Sequence, residues 1–176
     1  RSRKRFLERE YSWPPALSGS ALVVVGTLLS DLLSAFRQDV TVKRYAHWDD
    51  VLDYCARSAN PVGRLVLRIA GHKDEALDRA SDALCTALQL TNFWQDFARD
   101  WANGRLYVPL ADRDACGARE ADLDRAQAAS RATAGTTAST AAPMPPEWRA
   151  ALREMARRTR RLFAEGRPVC DGVRGR

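Results

Sequence analysis

One stretch, Gln89 to Pro109, constrains this chain more than any other: QLTNFWQDFARDWANGRLYVP. Gln89, Asn92, Asp96 and Asp100 follow one another at spacings that, on an α-helix, hold all four within an arc of roughly 80°. Leu84, Leu88, Phe93, Trp94, Phe97 and Trp101 occupy most of the remaining circumference. Such a helix is covered on several sides and turns its polar stripe toward a cavity. The pattern runs from Lys73 or Asp74 to Asn103, about 45 Å of helix, which predicts an all-α bundle built around a deep pocket.

Two carboxylates one turn apart repel each other, by a few tenths of a kcal/mol when exposed and by more when desolvated. A bound cation removes that cost, and hard carboxylate and amide oxygens suit Mg²⁺, which shares its coordination sphere with water and substrate phosphates. Asp96, Asp100 and Asn92 are therefore the candidate metal ligands, with Mg²⁺ as the expected cofactor. Asn103-Gly104 ends the helix, and Arg105 and Tyr107 then bring a cation and a phenol to the same anion. The plainer alternative is a solvated helix face carrying incidental acids.

At 176 residues the chain has the size of one domain. Its net charge of +6 suits an anionic partner, whether a diphosphate or an acidic lipid surface. Cys55, Cys85, Cys116 and Cys170 are too far apart for a C-x-x-C zinc or redox motif, so reduced cytoplasmic thiols are expected. With only His47 and His72 present, a histidine triad or a His-rich metal site has little support. Nothing matches a dinucleotide-binding fingerprint or a nucleic-acid-binding motif.

The NFWQD wording followed by GRxYxP resembles the second aspartate-rich motif of the squalene/phytoene synthase family, and looks most like its bacterial hydroxysqualene synthase branch in hopanoid biosynthesis. Tyr54, Ser58, Ala59, Val62 and Gly63 match the same family's Y-C-x-x-x-A-x-x-V-G segment, which lines the prenyl cavity at a helix interruption. Pro61 and Gly63 supply that interruption physically; a Pro-kinked core helix with a packed tyrosine fits the same residues. The resemblance covers roughly residues 30 to 173 and leaves residues 1–29 unassigned.

The resemblance implies an isoprenoid-synthase-type helical bundle and a Mg²⁺-dependent ionisation of presqualene diphosphate, with water capture to hydroxysqualene and release of diphosphate. Asp96, Asp100, Tyr54, Arg105 and Tyr107 take the catalytic roles; Gln89, Asn92, Ser58, Ala59, Val62, Gly63 and Phe93 take substrate-binding ones. Enzymes of the same pathway are the implied partners, at the inner face of the membrane or free in the cytoplasm. The family also carries a first aspartate-rich motif upstream, which residues 1–30 lack, and further helices at the far end. A fragment, incomplete at both ends, is therefore expected. Two other readings stay open: a phytoene or dehydrosqualene synthase, and an inert remnant surviving as a helical binding module.

Other segments read more plainly. The apolar stretch Ala21 to Leu33 is too short to span a bilayer, which takes about 20 apolar residues, and is expected to form a buried helix. Asp49, Asp50 and Asp53 imitate a DDxxD metal motif but sit where acids cap a helix start, and capping is the preferred reading. Ala111 to Glu120 reads as loop, and Ser130 to Pro146 as a mobile low-complexity loop. From Glu147 to Arg167, Trp148, Leu152, Met155, Thr159 and Leu162 form one helical face surrounded by arginines. This is a docked helix with a solvated basic face, or one drawn to an anionic lipid surface.

Overall fold

A computed structural model describes residues 19–133 and 143–173. In order, the helices are α1 (Gly19–Thr41), α2 (Trp48–Ser58), α3 (Asn60–Ile69), α4 (Glu75–Gln95), α5 (Phe97–Ala102), α6 (Leu110–Cys116), α7 (Glu120–Thr133), α8 (Pro146–Gly166) and α9 (Pro168–Gly172). There is no strand among the described residues, so the all-α expectation holds.

α4 lies at the centre, between α3 and α8. Against α3, Thr86 Oγ1 donates to Asn60 Oδ1 at 2.9 Å, Arg64 pairs with Asp82 at 2.5 Å, and Arg68 pairs with the buried Asp78. Against α8, Trp94 Nε1 donates to Thr159 Oγ1 at 2.9 Å, and a Cβ on Gly166 would lie 2.6 Å from the Leu84 nitrogen. In both pairs rising numbers in α4 meet falling numbers in the partner, so both run antiparallel to it. Glycine at 166 is what lets the α8 backbone reach α4.

The predicted α8 face is the buried one: Trp148 and Met155 are fully buried, and Trp148 Nε1 satisfies its donor on the Arg119 carbonyl at 3.0 Å. Of the DDVLD acids, Asp50 caps the helix start as read, whereas Asp53 serves as an ion-pair partner further along. Asp50 accepts from the His47 backbone N–H at 2.8 Å, and Asp53 pairs with Arg57 one turn on.

Four expectations are corrected. The central helix starts one residue after Asp74, whose side chain accepts from the Leu77 N–H at 2.8 Å, and it is not continuous to Asn103. Asp96, at φ −87° and ψ 6°, separates α4 from α5. The Asp96 and Asp100 N–H groups still donate to the carbonyls of Asn92 and Asp96, both at 2.8 Å, so the break bends the rod without losing the turn. Residues 111–120 are not all loop: α6 runs to Cys116 and ends on Gly117 at φ 69°. The apolar stretch of α1 is helical but buried only at Leu28, with Leu22 at 63%, Val23 at 69% and Leu33 at 59% exposure. Ser130 to Thr133 belong to α7; the rest of the low-complexity stretch to residue 142 lies outside the described residues.

Candidate active site

Beyond α5 the chain turns at Gly104 (φ 73°) and runs back in an extended path along the link between α1 and α2. The N–H groups of Leu106, Leu110 and Ala111 donate to the carbonyls of Lys43, Tyr45 and Ala46 at 3.0 to 3.1 Å. Arg44 fastens the same crossing. It grips Glu120 through Nε and Nη2 at 2.9 and 3.0 Å, donates to the Gly104 carbonyl at 2.6 Å, and lies 5.3 Å from the Trp101 ring centroid.

This crossing lays Tyr107 flat on Phe93 of α4, with centroids 3.6 Å apart and planes 3° from parallel. Tyr45 and Tyr54 close the group, their centroids 5.7 and 6.2 Å from that of Tyr107. All four rings are at least nine-tenths buried, and Ala35, Cys55 and Leu90 fill the space behind them. Sequence reasoning selected Tyr54, Phe93 and Tyr107; the tertiary structure adds Tyr45.

The rim of this aromatic group is charged. Burial, first, and then hydrogen bonding to Asp39 hold the Tyr54 phenol neutral far above the usual tyrosine range. Tyr107 is also raised, chiefly by burial, against the lowering effect of its neighbour Arg105. Arg105 donates to the Asp39 carbonyl at 3.4 Å, and Lys43 donates to the same oxygen. The Asp100 carboxyl is raised by burial and by Asp96, while Arg99 and Arg105 pull it down. Arg105, Tyr107 and Asp100 thus share one electrostatic neighbourhood.

Asp39 and Gln38, whose side chain hydrogen-bonds with Tyr45, were not singled out by sequence reasoning. A signal existed. Asp39 stands in the last turn of α1, where the helix dipole disfavours an anion, so a carboxylate there needs another reason.

The remaining candidates are more scattered. Gln89 is half-buried and Asn92 exposed on α4. The helix interruption falls at Ala59 (φ −122°, ψ −45°), with Pro61 in the first turn of α3. Ser58 at this junction has a buried Oγ without a partner among the described residues. Gly63 is pressed against α4, where its Cβ would meet Ser81 Oγ and lie 2.5 Å from Cys85 Sγ; Val62 is 50% exposed on the other side of α3.

Among the described residues no three His, Cys, Asp or Glu side chains stand together as a metal cage. What α4 and α5 offer is a pair. Asp96 is half-exposed and tied to Arg99, itself 69% exposed, and Asp100 carries a raised carboxyl beside it. Two carboxylates with only the largely exposed Arg99 as a direct ion-pair partner fit a Mg²⁺ that draws its other ligands from water and a diphosphate, and do not fit a metal held by protein alone.

Four likenesses bear on this arrangement. A family model described as squalene/phytoene synthase matches residues 23–176. The chain is 50% identical over 97 residues to the hydroxysqualene synthase of Zymomonas mobilis, covering 54% of this chain and 32% of that one, and 45% identical over 82 residues to the 15-cis-phytoene synthase of Enterobacter agglomerans, covering 46% and 28%. Its structure is similar to that of the squalene synthase HpnC from Alicyclobacillus acidocaldarius, with a TM-score of 0.69 at 38% identity over 81% of this chain and 48% of that one. The chain therefore spans less than half the length of each.

Proposed function

The chain belongs to the squalene/phytoene synthase family, and from that premise we propose that its polar rim and aromatic group serve the ionisation of a long isoprenoid diphosphate, presqualene diphosphate in the first instance, with capture by water to give hydroxysqualene. The observation that carries the proposal is the juxtaposition of Tyr107 and Arg105 with Asp100 at the edge of four stacked and tilted rings. It brings anion-binding groups to one side of a buried apolar surface, as a greasy diphosphate requires.

In this reading Arg105 and the Tyr107 hydroxyl hold diphosphate oxygens through charge-assisted hydrogen bonds. Asp96, Asp100 and Asn92 would hold Mg²⁺, which when bound neutralises charge on the leaving diphosphate. The C–O bond breaks with its electron pair leaving on the diphosphate, and the packed rings of Tyr54, Phe93 and Tyr107 form the apolar floor beneath the carbocation left behind. Burial keeps Tyr54 and Tyr45 protonated, so no phenolate competes with water for that cation. Water then forms the new C–O bond and gives up a proton.

A phytoene-type condensation of two prenyl diphosphates is the second reading, supported by the likeness to the Enterobacter enzyme. An inert binding module is the third, supported by there being no group of three or more His, Cys, Asp or Glu side chains that could hold a metal among the described residues. The test is incubation of the purified chain with presqualene diphosphate and Mg²⁺, beside an Asp96→Asn/Asp100→Asn variant, with mass analysis of the extracted lipid. Mg²⁺-dependent hydroxysqualene, absent from the variant, is expected. A hydrocarbon formed from geranylgeranyl diphosphate would point to the phytoene reading, and no product from a folded sample would leave the binding module.

A further inference from the structure

We propose that the outward face of α8 is a docking surface for an anionic phospholipid bilayer. Residues 146–167 carry seven arginines against three glutamates, four of the chain's six net positive charges. The structure decides how they are distributed. Trp148, Ala151, Met155, Thr159 and Gly166 face inward and are buried. Arg149, Arg153, Arg157, Arg160 and Arg161 are exposed, and helical geometry places them on the opposite face, within about 120° of arc and about 18 Å of axis.

Most of this charge is unspent. Arg157 pairs with Glu154, and Arg158, at the edge of the face, pairs with Asp112 and Glu154 and covers the Trp48 ring at 5.1 Å. Arg149, Arg153, Arg160 and Arg161 make no ion pair among the described residues. The positions between them on the same face include the exposed Ala150 and Ala164, so the ladder is flat and carries no large apolar side chain. Such a surface adsorbs to headgroups by charge without inserting into the acyl region, unlike an amphipathic helix that buries an apolar face. Among the described residues no helix is long and apolar enough to cross a membrane.

An arginine ladder also meets the phosphates of a nucleic acid. The exposed face carries no aromatic ring to stack on a base and no amide to read one. Preference for the bilayer over nucleic acid further rests on the reading of an isoprenoid diphosphate substrate, whose hydrocarbon partitions into lipid.

The test is co-sedimentation of the whole chain with vesicles of phosphatidylcholine alone or containing about 30 mol% phosphatidylglycerol, at roughly 0.1 M and 0.5 M salt, with no substrate present. Pelleting that requires phosphatidylglycerol and disappears at high salt is expected. Arg153→Glu/Arg160→Glu should weaken it by roughly tenfold or more, while Arg37→Glu/Arg79→Glu, the same change of charge on exposed positions of α1 and α4, should leave most of it. Thermal melting of each variant checks that it folds. No phosphatidylglycerol-dependent pelleting, or equal losses in the two variants, would overturn the assignment. So would a duplex RNA that binds through the same arginines and strips the protein from vesicles. Because no substrate enters the assay, failure here leaves the proposed chemistry intact, and failure of the product assay leaves this result intact.

Discussion

Phe93 and Tyr107, on separate elements, lie face to face with ring centroids 3.6 Å apart and planes 3° from parallel. Phe93 belongs to α4, and Tyr107 arrives on the strap returning from Gly104, so the stack fixes the strap that carries Arg105 over the helix that leads to Asp96. Tyr107→Phe keeps the ring and loses the hydroxyl. Its melting temperature should stay within a few degrees of the parent, equivalent to about 1 kcal/mol, while product formation falls at least tenfold. Phe93→Ala empties a buried site and should cost about 3–5 kcal/mol in chemical denaturation. Equal stability losses in the two variants would make the hydroxyl a structural group.

Two of the glycines pressed against α4, Gly166 and Gly63, should respond differently to alanine. At Gly166 the obstacle is the Leu84 backbone nitrogen, 2.6 Å from the added Cβ, so α8 must move off α4 and roughly 1–3 kcal/mol is lost. At Gly63 the obstacles are the side chains of Ser81 and Cys85. Gly63→Ala should therefore be recovered by trimming both neighbours in Ser81→Gly/Cys85→Ala, whereas no single side-chain trimming should recover Gly166→Ala. Urea midpoints for the single and combined variants decide the matter.

Asp100 should trade stability for function. Its carboxyl is raised by burial and by Asp96, so its ionised form is less comfortable in the fold than in the unfolded chain. Asp100→Asn removes that repulsion and should stabilise the metal-free protein at neutral pH by a few tenths of a kcal/mol, a small gain because the group is largely solvated. Adding Mg²⁺ should raise the melting temperature of the parent and leave that of Asp96→Asn/Asp100→Asn unchanged. Destabilisation by Asp100→Asn would show that the carboxylate holds the fold together.

Alkaline pH should unfold the protein through its aromatic core. Burial raises Tyr45, Tyr54 and Tyr107 above the ordinary value of 10.0, and pushes the Cys55 thiol up to about 12 from 9.0. Each is neutral in the folded chain at a pH where the unfolded chain has ionised, so unfolding releases protons. The stability they contribute is complete below about pH 9 and declines as pH climbs through 10 and beyond. Ultraviolet titration should show tyrosinate absorbance from these buried rings rising together with the loss of helical ellipticity. Ionisation of all four tyrosines well before ellipticity falls would contradict this.

Much of this was legible in order. The 3.6-residue periodicity around Phe93 and Trp94, and again from Trp148 to Leu162, reports which faces are apolar, and α8 lies where that periodicity places it, while the central helix stops short of its predicted end. The capping role of Asp50 followed from its position in a first turn, which is a local property. The bend at Asp96 was not legible, because Gln95-Asp96-Phe97 carries no glycine or proline to announce it. The exposure of α1 was hidden too. Apolar composition states which residues prefer burial, not whether the described chain supplies anything to bury them against.

The sequence by itself determined the helical class, the helical spacing of Gln89, Asn92, Asp96 and Asp100, and the cation and phenol that follow at Arg105 and Tyr107, because each depends on neighbours within a turn or a loop. Only the tertiary structure decided that Tyr45, Tyr54, Phe93 and Tyr107 share one buried site and that Asp39 stands at its rim. Those residues come from separate helices and links, and what joins them is the crossing of the 105–111 strap over residues 43–46, a set of backbone hydrogen bonds that no local spacing encodes.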